Sequence, residues 1–499
     1  MSSMATTHIQ DLPTEILFGI FAYLSRSAPS ERSLHEQPDA ALLRADPANG
    51  PFPAHLKSIS CVCKRWRAII LPVLFRNVIW RPQISSFESI DLRPHDMLRF
   101  LKDQDLAYNV LTFTLMVDFA TEEVEESELH RKIWPGDLAK LWTRLFSVID
   151  PLRFTIMAPP ATLAAFMNRM LFLTDAWSFD IPYHIFSLAW SSRQAKKATV
   201  KSPPSPSLEP QSTPGPSQTS TTTSHNGDDG LSERRHVDLK ASLGHGTISL
   251  PDGKHKLVVP PTSTLFTIRP WTSVLLNEGS SIRAYHTYEY FLRQPPSMLS
   301  ALLGTGEYPN NVALLPPTIV DFNYIAVFPL ASHIQNLFAN LPKIERLFVQ
   351  LTPRPSNQIL QDKKAMRNID MADLWMERNT AYSHLFAELT QVDPQGNWGT
   401  LKVFESGDAA DRESWNMAVE FLKQSEITNW VVERDGSLVK VGEDGDDKPA
   451  ARSAGSVVHH LLGDESLSVP LLSVPPPSPP PCLTLDFCRH VSLVYSSGT

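Results

Sequence analysis

The sequence predicts a mixed α+β or α/β chain: a small N-terminal helical module, then an irregular helix–strand solenoid broken by disordered insertions. Three observations predict it. Apolar residues recur at helical spacing over Asp11–Leu24 and again over His55–Ile70. Downstream, amphipathic helical stretches alternate with short strand-like runs. Two long segments are dominated by Ser, Thr, Pro and acidic residues, a composition that buries too little apolar surface to offset chain entropy.

In the first stretch, Leu12, Ile16, Leu17, Ile20, Phe21 and Leu24 share one side of a helix, and Thr14, Glu15 and Gly19 fall on the other. Pro13 suits the first turn, where its missing N–H costs nothing, and Asp11 and Glu15 favour the positive end of the helix dipole. Ser25–Pro53 is polar and Pro-containing. It is expected to loop out without disturbing the helices, because loop length costs stability only slowly. The second helix leads through Leu71–Phe75 into a strand-like Asn77–Trp80.

The helix–strand units follow. Asp137–Ile149 precedes Leu152–Ile156, Ile334–Leu341 precedes Ile344–Leu351, and Tyr382–Val392 precedes Leu401–Phe404. Each helix carries a Leu-Phe pair, at Leu145-Phe146, Leu337-Phe338 and Leu385-Phe386. One helix plus one strand, recurring, is the recipe for a parallel solenoid whose neighbours bury each other's faces. The spacing is irregular, and no asparagine ladder of the leucine-rich kind accompanies it. Trp142, Trp190, Trp271 and Trp375 are expected to be packing residues.

The expected organisation is a helical module over 11–80, with 25–53 looped out, and a receptor domain over 81–193 and 236–441. Disordered insertions are expected at 194–235 and at 442–482, the second acidic and Pro-rich. A terminal strand is expected within 483–499.

Composition narrows the function classes. The chain has 499 residues, a formal net charge of −8 and 42 prolines. It lacks the broad positive field that nucleic acid demands, so no nucleic-acid partner is expected. No apolar run approaches a membrane span, and no membrane association is expected. Four cysteines, Cys61, Cys63, Cys482 and Cys488, are too few for a disulfide scaffold. With no secretory signal at the N-terminus, they point to the cytoplasm, the nucleus or both. Phosphate-loop, dinucleotide, nucleophile-elbow, zincin and EF-hand motifs are absent. The acidic run Glu443–Asp447 lacks the terminal Glu of a calcium loop. His459-His460 and the pair Cys482 and Cys488 do not make a metal site. No catalytic residue, metal or cofactor is expected.

Leu12-Pro13-x-Glu15-Ile16-Leu17-x-x-Ile20-Phe21-x-x-Leu24, then Val62-Cys63-Lys64-x-Trp66-Arg67, then Leu74-Phe75, resembles the F-box. Three pieces occur in the right order, although Ser25–Ser60 is much longer than the family's usual connection. The resemblance implies a helical module that packs against the Skp-type adaptor of a Skp–cullin–F-box ubiquitin ligase. It implies that the adaptor-binding set is Leu12, Pro13, Ile16, Leu17, Ile20, Phe21, Leu24, Val62, Cys63, Trp66, Arg67, Leu74 and Phe75. Within that set, Leu12, Pro13, Ile16 and Ile20 are expected on the exposed side, with Leu17, Phe21 and Leu24 holding the module together. The downstream pattern, with Pro270–Gly279 and Tyr288–Pro296, is similar to the large leucine-rich-repeat-like F-box families of filamentous fungi.

By that resemblance the chain is a non-catalytic substrate-recognition subunit, joined to a cullin scaffold through the adaptor and holding an unknown protein target with its C-terminal body. The alternative is an adaptor-bound scaffold acting without ubiquitination. Arg153, Glu345 and Lys402, in or beside the alternating strands, are the residues expected to point outward toward a target.

Overall fold

The computed structural model describes residues 9–24, 31, 33–38, 53–86, 89–117, 133, 135–171, 183–190, 247–249, 255–257, 263–293, 297–390, 396–424 and 429–441. The insertions expected at 194–235 and 442–482, and the terminal strand expected within 483–499, lie outside them.

The helical module consists of α1 (Thr14–Tyr23), α2 (Pro53–Ser60) and α3 (Lys64–Leu74). The expected single helix over His55–Ile70 is therefore two. The break falls at Cys61–Cys63, where extended Cys63 caps α3 by accepting from the Trp66 amide at 3.4 Å. A side chain that satisfies an orphan N–H at a helix start favours beginning a new helix over continuing the old one.

Ten strands form one sheet: β1 (Asn77–Trp80), β2 (Thr112–Met116), β3 (Arg153–Ala158), β4 (His184–Ala189), β5 (Ser273–Ser280), β6 (Asp321–Val327), β7 (Arg346–Gln350), β8 (Val403–Ser406), β9 (Trp430–Arg434) and β10 (Ser437–Lys440). Their order across the sheet is the chain order, except that β10 lies between β8 and β9. β1, β2 and β3 run parallel, as do β5 through β8. Parallel neighbours cannot be joined by a tight turn, and helices supply the crossovers. These are α4 (His95–Asp103), α5 (Pro135–Val148), α7 (Met298–Leu303), α8 (Ala331–Asn340) and α9 (Met371–Thr390), with α6 (Pro160–Phe166) after β3 and α10 (Arg412–Gln424) after β8.

The sheet departs from the expected all-parallel pattern in two places. β4 is antiparallel to both neighbours. The far edge closes with an antiparallel hairpin. Its turn needs Gly436, at φ +78° with Ser406 O only 2.8 Å from where a Cβ would stand.

The helix-facing side is apolar. Phe113 stacks on Phe154, Trp142 and Phe146 meet Phe154 edge-on, and Phe386 meets Phe404 edge-on. All six members of the Leu-Phe pairs are buried. Trp142, Trp190 and Trp271 are buried as well, and Trp375 packs half-buried against Phe328. Side chains alternate across a strand, so the opposite face carries the intervening residues in rows. One row runs Met116, Met157, Ile185, Asn277, Ile325, Gln350, each in register with the next.

The main core runs from Leu17 of α1 through the sheet to Leu438 of β10, so the helical module shares its packing with the sheet, and a smaller cluster gathers around Tyr285 and Phe328. The expected loop over 25–53 does not hold at residues 33–38. Residues 33–38 lie on the sheet, where Asn277 Nδ2 donates to Leu34 O and Glu36 O at 2.9 and 2.7 Å.

Candidate functional site

The helical module presents two stripes of one helix to different surroundings. α1 starts after Pro13, whose φ of −53° and ψ of 149° set the direction from which the chain enters the helix. Leu17 and Phe21 are buried and Leu24 is half-buried. Pro13, Ile16, Ile20 and Tyr23, spaced by three, four and three, form the outward stripe. Ile16 is 52% exposed and Ile20 39%. Ile9 is exposed before α1, Phe18 is exposed on another side of the helix, and Val62 is exposed at the turn before α3.

The inner stripe holds α1 to α3. Phe21 packs edge-on against half-buried Trp66, with ring centroids 5.4 Å apart. Arg65 ties down the segment before α1: its guanidinium donates to Gln10 O at 2.5 Å and to Leu12 O at 2.6 Å. The Arg76 guanidinium lies 5.9 Å from the Phe18 ring centre, a cation–π arrangement.

The expected adaptor set therefore divides. Pro13, Ile16, Ile20, Val62 and Cys63 are exposed, and Leu12, Leu24, Trp66 and Arg67 are half-buried. Leu17, Phe21, Leu74 and Phe75 are buried in the shared core, where they support the surface rather than form it. Leu12 belongs partly to the inner stripe, because it packs against the core.

The residues expected to face a target also divide. Glu345 and Lys402 are exposed and pair with each other at 3.0 Å. Arg153 does not point freely outward. It is half-buried and donates to Ser187 Oγ at 3.3 Å. Burial lowers its pKa, against the opposing influence of Glu31 and Asp321.

Two buried carboxylates, far apart in sequence from their partners, were not among the expected sites. Glu278, on the helix side of β5, accepts from Tyr324 Oη at 2.7 Å, Ser297 Oγ at 2.8 Å and the Met298 amide at 2.6 Å, with His333 Nε2 at 3.3 Å. Burial alone would raise its pKa, but the bond and charge of His333, the nearby His184 and the Tyr324 bond hold it down to about 2. Burial holds fully enclosed His184 down to about 4, against the pull of Glu278.

Asp408 is the second. It accepts from the amides of Leu351 and Thr352 at 2.8 and 3.0 Å, from Thr352 Oγ1 at 2.7 Å and from Tyr382 Oη at 2.8 Å. Burial pushes its pKa up, opposed by these bonds and by Arg378. It borders a cavity of about 280 Å³ between α9 and α10, also lined by Arg378, Phe386 and Trp415. Both carboxylates are committed to main-chain amides and hydroxyls, as structural staples are.

Residues 9–80 match the family model described as F-box-like. No curated protein and no solved structure matches the chain. The chain thus carries an F-box-like domain, and its boundaries enclose α1, α2, α3 and β1.

Proposed function

We propose that this chain is the substrate-recognition subunit of a Skp–cullin–F-box ubiquitin ligase. F-box domains typically bind Skp-type adaptors, and the outward stripe of α1 with Val62 is the surface offered here. The observation that carries the reading is the exposure of Ile16 and Ile20 on a helix whose Leu17 and Phe21 are buried. A contiguous apolar stripe left in water beside a well-packed core marks an interaction surface.

The body is read as an irregular leucine-rich-repeat-like solenoid. Its first eight strands follow chain order, most of them with helices between, which supports kinship with the large leucine-rich-repeat-like F-box families of filamentous fungi. It holds a protein target. No residue of this chain performs the chemistry: binding raises the target lysine's effective concentration beside the charged conjugating enzyme. The cytoplasm and nucleus are the proposed compartments.

Affinity purification with the proteasome inhibited tests the reading. Recovery of the adaptor, a cullin and a protein that accumulates under inhibition is the expected result. Recovery of adaptor without cullin would move the function to a scaffold that acts without ubiquitination.

A further inference from the structure

The sheet face opposite the helices already holds a piece of this chain, a turn over residues 33–38 in which the Glu36 amide donates to Ser33 O at 3.1 Å. Three consecutive carbonyls of the stretch between α1 and α2 are read by amide side chains of two strands. Asn277 Nδ2 donates to Leu34 O and Glu36 O, and Gln350 Nε2 donates to His35 O at 3.2 Å. Asn277 and Gln350 stand in one row, each in register with Ile325 between them.

Side chains add selectivity. The His35 ring meets Phe348 edge-on with centroids 5.0 Å apart, and Arg354 pairs with Glu36 at 3.2 Å. Leu34 is buried. Pro38 lies against Gly279, where a Cβ would stand 3.5 Å from the proline ring.

Carbonyls are common to every sequence, so the two amides read the backbone of a turn and not its side chains. Leu34 and Glu36 supply the specific part: an apolar side chain, then an acidic one two positions later. The fit is incomplete, however. Both amide atoms of buried Gln37 and Oε1 of Gln350 have no hydrogen-bond partner among the described residues. Buried polar atoms left unpaired weaken an occupant relative to one that pairs them.

We propose that this face is the target-reading surface and that residues 33–38 occupy it as an internal competitor. The partner is a turn-forming segment of another protein with an apolar residue two positions before an acidic one, bound through Asn277, Gln350 and Arg354. The proposal rests on reading the chain as a target receptor. An internal segment acts at an effective concentration of ~1 mM, so a partner must match it better or bind where it has been weakened.

The test uses the full chain and a fluorescent peptide of the chain's own Glu31–Pro38 sequence. Binding to the unaltered protein is expected to be weak. Glu36→Ala, which spares buried Leu34, is expected to raise peptide affinity about tenfold by weakening the competitor. Adding Arg354→Glu to Glu36→Ala is expected to abolish that gain, and a peptide with arginine in place of its glutamate is expected to restore it. Equal affinity for the unaltered protein and Glu36→Ala, or indifference to the charge exchange, overturns the proposal. Adaptor binding by the same variants is measured in parallel. Its presence while the peptide arms fail overturns only this proposal, and its absence from the unaltered protein overturns the ligase reading itself.

Discussion

Phe21 of α1 and Trp66 of α3 meet edge-on, with ring centroids 5.4 Å apart and planes at 61°. This pair joins the two separated pieces of the F-box-like domain, on the side of α1 away from the outward stripe. Packing and adaptor binding are therefore separable by mutation.

Leu17→Ala tests the packing half. Leu17 is fully buried, and truncating such a leucine costs about 2–5 kcal/mol. Chemical denaturation should show that loss, with adaptor binding falling only as the module unfolds. Trp66→Phe should be mild by comparison, because the indole Nε1 is buried with no hydrogen-bond partner among the described residues. Removing an unsatisfied donor offsets part of the lost contact area.

Arg65→Ala tests the segment before α1. The guanidinium holds Gln10 O and Leu12 O, which fixes where Leu12 and Pro13 stand. The side chain is exposed, so thermal melting should hardly change. Adaptor affinity measured by calorimetry should fall severalfold, because the displaced segment must then be ordered on binding.

Acid should destabilise the body in two overlapping stages. His184 is held down to about 4 from 6.5, so the unfolded chain takes up this proton first and stability falls as pH drops from about 6.5 toward 4. The loss is on the order of 3 kcal/mol. Glu278, held down to about 2 from 4.5, adds a further loss below pH 4.5 by the same sign. Urea midpoints across pH 2–8 check this, and Glu278→Gln should remove the loss below pH 4.5.

Asp408→Ala should destabilise the region joining β7, α9 and β8. It strands the Leu351 and Thr352 amides, at a cost of ~3 kcal/mol, while the Tyr382 hydroxyl keeps Ser406 Oγ. Hydrogen exchange should quicken at Leu351 and Thr352 and stay unchanged in α1.

Much of this was legible in the sequence because it is local. The three- and four-residue spacing separated Ile16 and Ile20 from Leu17 and Phe21, and the Leu-Phe pairs marked three helices that bury both members. The break at Cys63 was hidden because a thiol cap leaves no periodic signature. The reversed direction of β4 was hidden because burial on both sides gives an apolar run in either direction. The Glu278 staple joins residues from β4 to α8, a distance no local pattern spans. Residues 33–38 look like loop because their carbonyls make much of the attachment, and carbonyls have no sequence signature.

The central claim is that the outward stripe of α1 is the adaptor surface. Its most direct test is the dissociation constant between the purified full chain and a purified Skp-type adaptor, with and without Ile16→Ala and Ile20→Ala together. Each isoleucine is already partly exposed, so its remaining burial is worth about 1 kcal/mol, and the pair should weaken binding roughly thirtyfold. The melting temperature should hardly move. Unchanged affinity in a folded double variant would contradict the account.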